Sequence, residues 1–90
     1  MSHERDHYNS MVVRYQNEVN DKKVLLEVKN ESLKILQEVY SKLDYNPSKM
    51  IIQEDINSCE SEIAGLKKDI RYAENHLITF QKIAEKLQEM

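Results

Sequence analysis

From residue 56 to residue 87 an apolar side chain recurs at alternating intervals of three and four: Ile56, Cys59, Ile63, Leu66, Ile70, Ala73, Leu77, Phe80, Ala84 and Leu87. An α-helix turns once per 3.6 residues, so this rhythm keeps one narrow seam on the same side of a helix for turn after turn. A seam that narrow leaves its apolar edge in water unless a second helix covers it. The chain must therefore build helix against helix, which predicts an all-α architecture.

The covering helix is found in the same chain. Residues 44–48 read Asp-Tyr-Asn-Pro-Ser, the only strong punctuation in the sequence. Proline lacks an N–H and disfavours helix in the residue before it. This predicts helix one over about 5–44, a loop over about 44–48 and helix two over about 47–89, with Asn46 as cap and Pro47 in the first helical position. The first helix carries the same rhythm at Tyr8, Val12, Tyr15, Val19, Lys22, Leu26, Lys29, Leu33, Leu36, Tyr40 and Leu43. Folded back at the loop, the two seams match as mirror images. Leu36 meets Ile56, Leu33 meets Cys59, Leu26 meets Leu66, Tyr15 meets Leu77, Val12 meets Phe80 and Tyr8 meets Ala84. Large residues tend to face small ones, as close packing requires. The expected fold is an antiparallel two-helix coiled-coil hairpin, one domain over 1–90.

Helix one carries more apolar surface than that seam uses. Leu25, Val28, Ile35 and Val39 form a second stripe beside it, interrupted by Ser32. Such a width suits a bundle helix with two neighbours. The flank of helix two that faces the stripe offers Asp55, Glu62 and Asp69, which cover aliphatic groups poorly. Burying four aliphatic side chains is worth roughly 6–12 kcal/mol before costs. These four residues are the predicted partner interface, covered by a second copy in a four-helix bundle or by helices of another protein.

Charge and composition narrow the function further. Residues 1–44 hold seven bases and eight acids, and residues 45–90 hold six and eight. Neither half carries the basic field that nucleic acid binding needs. A single cysteine forms no intrachain disulfide and points to an intracellular setting. No signal peptide or membrane span is expected. One glycine cannot build a phosphate-binding loop or a nucleophile elbow, and two helices enclose no ligand pocket. No cofactor, small-molecule ligand or enzymatic activity is expected.

Several residues carry side chains capable of chemistry. His3-Glu4-Arg5-Asp6-His7 matches H-E-x-x-H, the zinc-protease signature, in which two histidines share a helix face. It sits at a fraying end of helix one, and a third ligand would have to come from Glu85 or Glu89 across the hairpin; the expectation is a solvated lead-in. Cys59 reads as a small core residue, and Tyr8, Tyr15 and Tyr40 read as core. Lys22 and Lys29 interrupt the first seam opposite Ile70 and Ile63, with stems able to cover apolar surface and ammonium groups able to reach water. A polar core position of that kind fixes register at some cost in stability. Lys67, Lys68 and Arg71 form a basic cluster beside Asp69 and Glu74, read as a solvated face. Gly65 stands in mid-helix, where glycine costs about 1 kcal/mol relative to alanine. The sequence thus describes a non-enzymatic structural interaction module that oligomerises or joins a multi-subunit assembly. A small chaperone or inhibitor holding one client on the stripe is the alternative, and a metal-dependent hydrolase on His3, Glu4 and His7 a remote one.

Overall fold

A computed structural model describes residues 3–89, which form two helices, α1 (His3–Lys42) and α2 (Asn46–Gln88), packed antiparallel as a hairpin. No strand occurs among the described residues. α1 contains neither glycine nor proline, carries Glu4 and Asp6 in its first turn and ends on Lys42, so its end charges complement the helix dipole.

The turn lies slightly to the N-terminal side of its predicted place. α1 stops at Lys42, where the Leu43 N–H donates to the Tyr40 carbonyl at 3.2 Å and tightens the last turn. The Ser41 hydroxyl donates to the Glu38 carbonyl at 2.7 Å. α2 begins at Asn46 because the Lys49 N–H donates to the Tyr45 carbonyl at 3.1 Å, closing the first turn one residue early. Asn46 is thus the first helical residue and not the cap. Pro47 falls in a turn whose N–H groups have no helical acceptor, so its missing donor costs nothing there.

Packing divides the hairpin into two units. The terminal unit joins residues 3–23 to 68–89, and the loop unit spans Val24–Lys67. In the loop unit Ile56, Cys59 and Ile63 of α2 are buried, while Leu26, Leu33, Leu36 and Tyr40 of α1 and Leu66 of α2 are half-buried. In the terminal unit Val19, Ile70, Ala73, Leu77 and Ala84 are buried, and Tyr8, Val12, Tyr15, Phe80 and Leu87 are half-buried. All but one of the buried apolar residues therefore belong to α2. The cause is size: α2 offers small or branched groups at the seam, and the long leucines, tyrosines and lysines of α1 lie across them with their tips at the water edge.

Candidate interaction surface

The second stripe of α1 lies open to solvent within the loop unit. Leu25 is 44% exposed, Val28 55%, Ile35 57% and Val39 41%. They recur at helical spacing over about 21 Å, at 1.5 Å rise per residue. Two further exposed aliphatics accompany them, Val24 next to Leu25 and Ile51 near the start of α2. Neither was singled out from the sequence. For Ile51 the available signal was its place four residues before Asp55, on the α2 flank already matched to the stripe.

The acids on that flank of α2 do more than border the stripe. The Lys29 ammonium pairs with the Glu62 carboxylate. Lys22 Nζ lies 3.6 Å from Asp69 and 3.7 Å from Glu18. The seam lysines thus carry their charges out to the flank, where carboxylates of α2 meet them, and their stems stay in the seam. A hydrogen bond to Glu62, reinforced by its negative charge, holds the Lys29 pKa above its ordinary value of 10.5. Lys23 pairs with Glu74 at 3.2 Å on the terminal unit. Asp55, the third acid of the row, makes no ion pair among the described residues.

Gly65 stands three residues beyond Glu62 on α2. A methyl group added there would meet nothing within 4 Å, so the glycine makes no close helix approach inside the chain. Cys59 is a free, buried thiol that donates to the Lys29 carbonyl at 3.4 Å. Lys67, Lys68 and Arg71 are exposed. A depression near the loop, lined by Tyr40, Lys49, Met50 and Gln53 among others, is open to solvent, with the Lys49 ammonium 5.1 Å from the centre of the Tyr40 ring.

The terminal unit is sealed differently, by aromatic rings. His76 stacks on Tyr15 at 5.1 Å and on Phe80 at 5.7 Å between centroids, and Tyr72 meets it edge-on at 4.3 Å. Phe80 also packs against Tyr8 at 5.7 Å and Tyr15 at 5.6 Å. These rings straddle the Val12 level that the mirror register assigns to Phe80. The place of His76 in the stack was missed in the sequence, although the four-residue spacing of Tyr72, His76 and Phe80 carries the signal. His3, Glu4 and His7 are exposed, and the His7 ring packs edge-on against Tyr8 at 5.1 Å. Among the described residues no group of three or more potential metal ligands comes together, and no helix is long and apolar enough to cross a membrane.

Comparison with protein-family models, with curated proteins and with solved structures finds no match to this chain.

Proposed function

We propose that this chain is a non-enzymatic helical interaction module, a hairpin that joins an assembly by presenting the stripe of α1 to helices of a second copy or of another protein. The observation that carries this reading is the exposed row Leu25, Val28, Ile35 and Val39. A helix needs one apolar face to pair within the hairpin; α1 has two. Exposed aliphatic rows of this length are unfavourable in water and mark association surfaces. The stripe lies outside the buried seam, so it is free to serve recognition.

The test replaces Val28 and Ile35 together by Glu in the full chain. Two unpaired charges in a desolvated contact are strongly unfavourable, whereas in the free hairpin they remain hydrated. Circular dichroism should show helicity unchanged. Wild-type protein purified from its own cell should be oligomeric or carry a stoichiometric partner, and the double variant should be monomeric and alone. A wild type that is monomeric at tens of micromolar with nothing co-purifying contradicts the proposal.

A further inference from the structure

The net charge of the molecule resides entirely in the unit that carries the stripe. Residues 24–67 hold five lysines, no arginine and eight carboxylates, whereas the rest of the chain holds eight bases and eight acids. The whole formal charge of −3 therefore belongs to the loop unit.

The placement of these acids is as informative as their number. Glu31 and Glu38 follow Val28 and Ile35 by three residues, so helical spacing sets them along the outer edge of the stripe. Asp55 and Glu62, seven residues apart on α2, run along its other side. Glu62 is neutralised by Lys29, and the remaining three make no ion pair among the described residues. The stripe is thus an aliphatic ridge between two acidic rails. Small residues keep the α2 side of this face low, since Ser58 and Gly65 each follow a rail acid by three residues and the space above Gly65 is open. The α2 side of the ridge therefore leaves room for a third helix.

Resting on the interaction-module reading above, we infer that the occupant of this face is a single amphipathic helix of another protein, with apolar anchors at three- and four-residue spacing flanked by lysine or arginine on both sides. A second copy fits the face less well. It would bring the same acidic rails and the same −3 against this unit, and like charges across a contact are penalised. A basic helix gains on both terms. Its anchors cover the ridge, and its flanking cations meet Glu31, Glu38 and Asp55, which make no ion pair among the described residues.

The experiment uses the full chain and two synthetic 21-residue helical peptides with identical leucine spacing, one with lysine on both flanks and its twin with glutamate. Binding is read by fluorescence anisotropy, and the site by backbone amide shifts. The lysine peptide should bind at least tenfold more tightly than its twin in low salt. That ratio should narrow as salt screens the rails. The amide shifts should fall between residues 24 and 39 and between 51 and 65. Glu31→Lys with Asp55→Lys should remove or invert the preference, and Val28→Ser with Ile35→Ser should abolish binding of both peptides. Equal binding of the two peptides overturns the basic-partner inference and leaves the interaction module standing. So does a wild type that alone forms a tight dimer with the stripe covered. Lysine-peptide binding that survives the serine substitutions overturns the inference as mere charge adsorption. If neither peptide binds and the wild type from its own cell carries no partner, both readings fall.

Discussion

The two packing units are built from the same two helices and obey the same three-and-four rhythm, yet they treat their flanks in opposite ways. In the terminal unit the flank is filled by rings, with His76, Tyr15 and Phe80 each packed on the other two, and the charges balance. In the loop unit the flank is an open aliphatic ridge and all of the net charge gathers there. The terminal unit also exposes apolar residues, Val13, Tyr72 and Ile78, but no row like that of α1 in the loop unit. The contrast teaches that one seam can pair the two helices throughout while the surface beside it differs from unit to unit; the proposed function places recognition on that surface.

The largest expected effect separates seam from ridge. Ile63→Ala in the loop unit and Leu77→Ala in the terminal unit each remove a buried side chain and should cost about 2–4 kcal/mol in urea unfolding. Ile35→Ala, made on the ridge of the lone chain, should change stability by no more than about 0.5 kcal/mol. A cost at Ile35 equal to that at Ile63 would mean that the ridge already serves the fold, and the comparison between flank and seam would break.

A smaller effect concerns the lysine that links seam to rail. The Lys29 pKa is raised in the folded chain by Glu62. Its stabilising share is therefore fully present below 10.5 and is lost as pH rises through the folded value, because the folded chain then holds a proton that the unfolded chain releases. Both groups stand partly in water, so the effect is modest. The thermal midpoint of the wild type should fall above pH 10.5, and more gently in Glu62→Gln, which lacks the charge that raises the pKa. Identical pH profiles would show that the pair contributes nothing.

Much of the fold was legible in the sequence because seam and loop are written in periodicity and in one proline. The rhythm marked both helices, and Asn46-Pro47 marked the reversal. The helix boundaries were off by one or two residues, since the first turn of α2 closes on a backbone carbonyl, that of Tyr45, and no side chain announces that choice. The stripe was legible as apolar positions beside the seam. The acids on its α2 side, Asp55 and Glu62, were legible too; the gathering of the whole net charge in the loop unit was not, because that unit spans residues 24–67 and a count by halves around the loop divides the acids evenly. In the sequence Glu62 and Asp69 read only as poor cover for the stripe; the structure pairs them with Lys29 and Lys22, an outcome that depends on how far a lysine stem reaches.

The most direct test of the central claim compares one exposed isoleucine from each unit. A photo-crosslinking amino acid is placed at Ile35 in one version of the full chain and at Ile78 in another, since both side chains are open to solvent in the lone hairpin. On irradiation in the native cell, position 35 should yield a defined adduct to another chain and position 78 none. A silent position 35, or an adduct that forms at 78 instead, would contradict the account.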